Sequence, residues 1–341
     1  MRKYRKREHI ENYLRTTFVG DPMFSDVFLY HNSLPECDFH EIDTSLTFLN
    51  KTVNFPLIIN AITGGNEFSE DINKSLAEVA KHFNIPMAVG SETIALEDAD
   101  ACESFAVVRE IIGDDGVVLA NLSGHATVEE AKKAIEIIKA DGIQIHLNPA
   151  QELAMEEGDR SFKNVLSNIE NIVNEVDVPV IVKEVGFGIS QDVAKRLYGV
   201  GVRNIDVSGF GGTNFLEVEN LRSPDNDLSE LYSWGIPTAM SLIEVKELNY
   251  DELDIISSGG VKSSLDVIKS IVLGASMVGI SGEILTYLVH GGYEYTVQYI
   301  DSLIYKCKMI MMLTGAKNIS ELKNLDYKVT GRLRELVDYD K

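Results

Sequence analysis

Three stretches of this sequence end an apolar run in residues able to do chemistry. Gly142-Ile143-Gln144-Ile145 leads into His146-Leu147-Asn148-Pro149-Ala150-Gln151-Glu152, which gathers an imidazole, two amides and a carboxylate. Val178-Pro179-Val180-Ile181-Val182 leads into Lys183-Glu184-Val185-Gly186, and Asn204-Ile205-Asp206-Val207 opens into Ser208-Gly209-Phe210-Gly211-Gly212-Thr213-Asn214. A lysine that ends a buried strand either pairs with a carboxylate or is used. It can serve as a Schiff-base amine, or as a donor to the electron-rich N1/O2 edge of a flavin, where it stabilises the reduced anion. Glu184 beside it faces the other way along the strand and reads as structural. Glu152 is a candidate hard-metal ligand, because one carboxylate plus substrate phosphates is a usual Mg²⁺ arrangement. The alternative is a carboxylate that merely favours the start of a helix.

Two glycine-rich turns suit phosphate. Ser257-Ser258-Gly259-Gly260-Val261-Lys262 follows one apolar run and Gly279-Ile280-Ser281-Gly282 ends the next. Glycines there let backbone N–H groups approach phosphate oxygens, the helix beginning near Ser263 adds its positive end, and Lys262 supplies a cation. No G-x-G-x-x-G follows a strand, since Asn214 stands where Gly209-x-Gly211 needs its third glycine, and no Walker sequence is present. A mononucleotide therefore fits better than a dinucleotide. Ala61-Ile62-Thr63-Gly64-Gly65 would lie under its ring, with the Thr63 hydroxyl available.

These sites need strands to carry them. Apolar runs predict strands at 57–61, 87–90, 117–122, 143–147, 178–183, 204–208, 255–258 and 277–281, with amphipathic segments between. Thr127 with Glu130 predicts a capping box, and the segments starting at Ser190 and Ser263 look alike. Eight strand–helix repeats predict an α/β fold, a (β/α)8 TIM barrel, with its chemistry at the strand C-termini. Residues 1–341 read as one domain, with 1–56 as an N-terminal cap and substrate segment and 293–341 as a C-terminal helical tail. The interval 216–254 exceeds one crossover helix, and its polar turn at 222–227 suggests a lid.

With 341 residues and 45% hydrophobic content the chain can bury such a core. A net charge of −22 argues against nucleic acid as a partner. Positive charge gathers instead at Arg2, Lys3, Arg5, Lys6 and Arg7, either an anion site or a solvated tail. Cys37, Cys102 and Cys307 are far apart and suggest neither zinc nor disulfides. No apolar run is long enough to span a bilayer and no signal peptide is evident, so a cytoplasmic protein with no membrane partner is expected.

Taken in order, Arg5-Lys6-Arg7-Glu8-His9-Ile10, Asn60-Ala61-Ile62-Thr63-Gly64-Gly65, the 146–152 run, Val182-Lys183-Glu184-Val185-Gly186-Phe187-Gly188 and the 206–214 run resemble the type 2, FMN-dependent isopentenyl-diphosphate isomerases along nearly the whole chain. The resemblance implies a barrel of the FMN-dependent-enzyme type. It also implies reversible 1,3-allylic rearrangement of isopentenyl to dimethylallyl diphosphate in isoprenoid biosynthesis, with reduced FMN as acid/base, NADPH as reductant and Mg²⁺. Arg5, Lys6 and His9 would hold the substrate diphosphate, His146, Asn148 and Gln151 would contact the substrate, and Glu152 would carry the metal. Gln151, Lys183 and Glu219 would be the catalytic set, with Glu219 near metal and diphosphate. FMN contacts are implied at Ala61, Ile62, Thr63, Ser91, Asn121 and Lys183, and further on at Ser208, Thr213, Gly259, Gly260, Lys262, Ser281 and Gly282. A homo-oligomer, tetramer or octamer, is implied as well.

Two positions depart from the pattern. Many members have Ser-Gln-Arg at Ser91-Glu92-Thr93, so an arginine that could touch substrate is missing and Glu92 does not inherit its role. Many also have Arg at Lys262, which cannot bind phosphate bidentately as Lys, so weaker FMN retention is expected. Two other readings stay open on the residues: an FMN oxidoreductase of the 2-hydroxy-acid oxidase type, and a non-catalytic FMN- or phosphate-binding barrel. The first wants a strand-end His as base and an arginine pair for a carboxylate.

Overall fold

Eight parallel strands close into a barrel in the computed structural model: β1 Leu57–Ile59, β2 Met87–Ala88, β3 Val118–Ser123, β4 Gly142–Leu147, β5 Val180–Glu184, β6 Asn204–Asp206, β7 Asp254–Ser257 and β8 Met277–Ile280. The structure describes the backbone of residues 2–225 and 227–338 and the side chains of residues 6–225 and 227–337. Each expected strand forms in place. β1 ends two residues early, at Ile59, because the Asn60 side chain turns inward and its Oδ1 takes the Ala61 N–H at 3.0 Å.

Side chains two apart on a strand share a face, so the barrel interior is filled in layers. Ile58, Leu119, Ile181 and Ile256 are fully buried in the lowest layer. A hairpin, Leu46–Phe48 with Lys51–Val53, adds Phe48 and Val53 to that layer. It plugs the N-terminal end of the barrel, where Leu49 sits over Gly142, the first residue of β4. Two residues further along, the interior becomes polar with Asn60, Asn121 and Gln144, all buried. The strand register then pairs Ser123 with His146, His146 with Lys183, and Lys183 with Asp206, which brings an imidazole, an ammonium and a carboxylate into one row.

The larger apolar core lies outside the barrel, where Ile59, Val118, Ile143, Ile145, Val182 and Ile205 meet the helices. Helix starts follow the sequence. Thr127 and Glu130 form a capping box, Ser263 and Asp266 form another, and Ser190 accepts from the Val193 N–H.

The expected cap over residues 1–56 divides in two. Helix Arg2–Tyr13 and the following turn lie at the mouth, while the hairpin plugs the opposite end and Val27–Leu29 pairs antiparallel with Tyr327–Val329 of the tail. In the long interval after β6, helix Phe215–Arg222 precedes the crossover helix Thr238–Lys246. The expected lid is thus partly a helix, which packs on Arg2–Tyr13. Glu217 Oε1 accepts from the Thr17 N–H at 2.8 Å, and Asn12 Nδ2 donates to the Val218 carbonyl. The helix Gly282–Thr314 breaks at Gly292, whose φ of +71° is left-handed and suits glycine.

Candidate active site

The C-terminal ends of the strands surround one cavity of about 730 Å³. On its floor stands Lys183, the last residue but one of β5, which is 6% exposed and donates through Nζ to the Glu184 carbonyl at 2.7 Å. Burial pulls its ammonium below the ordinary lysine value, and the Asp206 and Glu184 carboxylates oppose that pull. The Glu184 carboxylate turns away and accepts from the N–H groups of Val185 and Phe187, which fixes the loop after β5. A buried ammonium beside a buried carboxylate is a directed cation, able to face electron density on a ring.

Backbone forms the far wall. Gly259 and Gly260 have φ of +95° and +74°, and a Cβ on Gly212 would come within 2.6 Å of the Gly260 nitrogen, so the loops after β6 and β7 pack main chain on main chain. Ser281 begins the helix Gly282–Thr314 without a side-chain cap, which leaves that helix end facing the cavity. The helix after Ser263 carries its own capping box, with Asp266 Oδ2 accepting from the N–H groups of Lys262 and Ser263. Of the two helix starts, the one at Ser281 and Gly282 is left without a side-chain cap and lines the cavity. Glycine walls that a Cβ would fill, an open helix end and Lys262 fit the phosphate of a mononucleotide. Lys183 and the polar floor fit its ring.

The near rim is built from three helices. The short helix Pro149–Ala154 starts at Asn148, where Pro149 suits the first turn, and presents Gln151 and Glu152. Gln151 Nε2 donates to Glu219 Oε1 at 3.1 Å, and His9 Nε2 lies 2.9 Å from the same oxygen. Arg222 Nη1 donates to Glu219 Oε2 at 2.6 Å and also pairs with Glu157. Burial raises Glu219, but His9, Gln151 and Arg222 together hold its carboxyl below the ordinary value. Glu152 is half-buried, and its oxygens accept from Asn148 Nδ2 at 3.0 Å and the Asp159 N–H at 2.8 Å. Among the described residues no group of three His, Cys, Asp or Glu is placed to cage a metal. That donor set fits Mg²⁺ only in the form held by one carboxylate, with phosphate and water completing the shell.

Most residues singled out from sequence line this cavity: Lys6 and His9; Ala61, Ile62, Ser91 and Asn121; His146, Gln151, Glu152 and Lys183; Ser208 and Thr213; and Gly259, Gly260, Lys262, Ser281 and Gly282. Three stand behind it. Thr63 is 1% exposed with its hydroxyl 2.9 Å from that of Ser69, so the expected hydroxyl under the ring is turned away. Asn148 holds Glu152, and Glu219 holds Gln151 and His9. The Arg5 side chain lies outside the described residues. Lys6 Nζ donates to the Ser91 carbonyl at 3.2 Å, which ties the basic segment to the mouth.

Sequence reasoning missed Gln144, Asp206, Glu92 and Arg222 as parts of the site. Gln144 and Asp206 carried a signal, since each breaks an apolar strand at an inward position. Arg222 sits three residues after Glu219, the spacing of a helical ion pair. Glu92 gave no signal: it is fully buried behind Asn121, whose N–H it accepts at 3.0 Å, and burial pushes its carboxyl up to about 8.

Residues 128–328 match the model of the FMN-dependent dehydrogenase family. Over 331 residues the chain is 46% identical to an isopentenyl-diphosphate delta-isomerase of Geobacillus sp. and 45% identical to one of Bacillus licheniformis, covering 97% of this chain and 94% of each relative. A protein of the same name from Listeria innocua is 40% identical over 334 residues, 98% of this chain and 93% of its own. Among solved structures, a lactate oxidase of Pediococcus acidilactici superposes with a TM-score of 0.68 at 16% identity, over 95% of this chain and 87% of its own. A mandelate oxidase with benzaldehyde gives 0.67 at 15% identity, over 94% of both. These two likenesses establish a shared barrel and nothing finer.

Proposed function

The chain belongs to the isopentenyl-diphosphate delta-isomerase family within the FMN-dependent enzymes, and from that premise we propose that it interconverts isopentenyl and dimethylallyl diphosphate. The reaction adds a proton at one end of an allylic system and removes one from the other, with no net redox change. Reduced FMN, when bound, supplies the acid/base group for that transfer. The observation that carries the reading is one cavity with Lys183 on its floor, Gly259, Gly260, Ser281 and Gly282 on one wall, and Lys6, His9, Gln151 and Glu152 on the other.

Each residue has a part in this reading. Lys183 would help hold the ring, and its positive charge would favour a reduced, anionic cofactor. Gln151, fixed by Glu219, stands near the reacting carbons. Lys6, His9 and Arg5 hold the diphosphate, with Mg²⁺ on Glu152 and Glu219 close by. Grip on the diphosphate is remote binding energy, which positions a C5 chain that offers no other handle. NADPH acts only as reductant of the cofactor. The same reading assigns the protein to the cytoplasm as a homo-oligomer, a tetramer or octamer.

The 2-hydroxy-acid oxidase alternative is disfavoured by the site. It needs an arginine pair for the substrate carboxylate, and among the described residues no arginine lines the cavity. It also needs His146 as a base, whereas burial and the neighbouring cations press that imidazole down to about 3. An anaerobic assay decides the matter. Protein loaded with FMN and reduced once should convert isopentenyl diphosphate over many turnovers. If NADPH oxidation instead tracks product one for one, the isomerase reading is wrong.

A further inference from the structure

Four hydrogen bonds cross the polar layer beneath the cavity, and their directions are fixed at one end. Asn60 is anchored twice: its Oδ1 accepts from the Ala61 N–H at 3.0 Å, which can only donate, and its Nδ2 donates to Asp206 Oδ2 at 2.8 Å. Asp206 Oδ1 is held in turn by the Ser258 hydroxyl at 2.7 Å and the Ser208 N–H at 3.2 Å. With Asn60 so oriented, its Oδ1 also takes a proton of Gln144 Nε2 at 2.8 Å. Gln144 Oε1 is then left to accept from Asn121 Nδ2 at 3.1 Å, and the Asn121 oxygen faces Nδ1 of His146 at 2.9 Å. Turning any of these amides over would set donor against donor or acceptor against acceptor in a buried layer.

We infer that Asp206, Asn60, Gln144 and Asn121 form a directional relay that holds His146 as the neutral Nδ1–H tautomer and presents its Nε2 lone pair to the cavity as a standing acceptor. His146 lines the cavity, and with Nδ1 engaged below, Nε2 is its nitrogen on the cavity side. The charges around it act the same way. Burial first, then Lys183 from β5, Lys6 from the N-terminal helix and His125 from the loop after β3, all disfavour an imidazolium here.

A lone pair in that place suits a ligand that offers an N–H or O–H, and it does not suit a diphosphate, whose oxygens bring no donor. This deepens the proposed function and rests on it in one respect. With a flavin in the cavity, the donor His146 meets belongs to the ring, and the diphosphate is left to Lys6 and His9. In this relay Asn60, Gln144, Asn121 and Asp206 are positioning residues that act through His146, while Asn60 and Asn121 also line the cavity.

Nitrogen-15 NMR of histidine-labelled, flavin-free protein tests the relay directly, with His146→Gln used only to assign the signals. In the wild type, His146 should show a protonated Nδ1 and an unprotonated Nε2, unchanged from pH 5.5 to 8.5. Gln144→Leu, similar in size but unable to pass the relay on, should move both signals toward averaged positions as the tautomers mix. A wild-type His146 that is the Nε2–H tautomer, or that titrates with an ordinary midpoint, overturns the inference. So does a folded Gln144→Leu variant with the wild-type pattern. Should that variant not fold, Asn121→Asp should keep the proton on Nδ1 while raising the midpoint into the measurable range; a shift of the proton to Nε2 there would overturn the relay as well. Because no flavin or substrate is present, failure here leaves the isomerase reading standing, and an inactive enzyme with the expected tautomer would sink only that reading.

Discussion

Gln151 and Glu219 join two parts of the chain across the rim of the cavity: the Gln151 side-chain amide donates to Glu219 Oε1 at 3.1 Å, so the helix after β4 is locked to the helix after β6. Glu219 is 2% exposed, and its second oxygen is held by Arg222 at 2.6 Å. Arg222 in turn reaches Glu157 in the loop beyond Gln151 and lies 3.9 Å from Glu8 on the N-terminal helix. One guanidinium therefore ties together the three segments that frame the mouth.

Removing that guanidinium leaves a buried carboxylate with only Gln151 and His9. Breaking one side of a fully buried pair costs about 3–5 kcal/mol, but Arg222 is partly exposed, so a loss nearer about 1–3 kcal/mol is expected for Arg222→Leu. The KM for the diphosphate substrate should rise alongside, since His9 and Gln151 lose their fixed partner. Chemical denaturation and steady-state kinetics read the two effects, and a variant unchanged in both would remove Arg222 from the site.

Glu92 gives a pH signature. Its carboxyl sits at about 8 in the folded protein against an ordinary 4.5, with burial as the first cause and the Asn121 N–H and Lys6 acting against it. The native state thus keeps a proton that the unfolded chain releases. Stability present below about 4.5 is lost as pH rises toward 8, and the decline levels off above that. Glu92→Gln keeps an acceptor for the Asn121 N–H without titrating. Its stability relative to wild type should improve by a few kcal/mol (~2–4) between pH 5 and pH 9. Parallel stability curves for the two proteins would show that Glu92 carries its charge when folded.

The barrel was legible because strand ends repeat a pattern: Lys183, His146 and Ser208 each follow a mainly apolar strand segment, and parallel strands place their C-termini at one face. The glycine-rich turns at Gly259-Gly260 and Ser281-Gly282 were legible as cavity-lining loops for the same reason. Less visible was the direction of individual side chains. Thr63 lies in the right loop, but its hydroxyl meets Ser69, a partner contributed by the next helix. The Ser263 helix had the expected start, and there Asp266 takes the N–H groups of Lys262 and Ser263. Both outcomes depend on competition among local hydrogen bonds, which spacing alone does not rank. The split of residues 1–56 between the two ends of the barrel depends on long-range packing of Phe48 and Val53 against Ile58, Leu119 and Ile181, for which a sequence without regular periodicity gives no cue.

Glu152 separates metal from cofactor. Its carboxylate faces the cavity while its oxygens are steadied by Asn148 and Asp159. Glu152→Gln should lose most of the Mg²⁺ dependence of turnover, because a neutral amide is a poor ligand for a hard cation. FMN affinity, followed by flavin fluorescence, should be unchanged, since the wall proposed for the cofactor phosphate does not include Glu152. Normal activity with a normal response to Mg²⁺ would return Glu152 to a purely structural part at the helix start.

Lys6 offers the sharpest test of the basic N-terminus. Its ammonium donates to the Ser91 carbonyl at 3.2 Å and borders the cavity, so the helix that carries it is already tied to the mouth. A charge-assisted hydrogen bond to phosphate is worth about 1.5–3 kcal/mol. Lys6→Ala should therefore raise the KM for isopentenyl diphosphate by roughly 10- to 150-fold, at 1.4 kcal/mol per factor of ten. Flavin binding should stay as it is, because the wall proposed for the cofactor phosphate is the one formed by Gly259, Gly260, Ser281 and Gly282. The loss should also shrink as salt is added, because a partly exposed cation is screened. A matching Lys3→Ala variant, outside the motif shared with the family, should change KM little. Equal and small effects in both variants would mean that the basic segment is a solvated end of the helix and that the diphosphate is held by other groups.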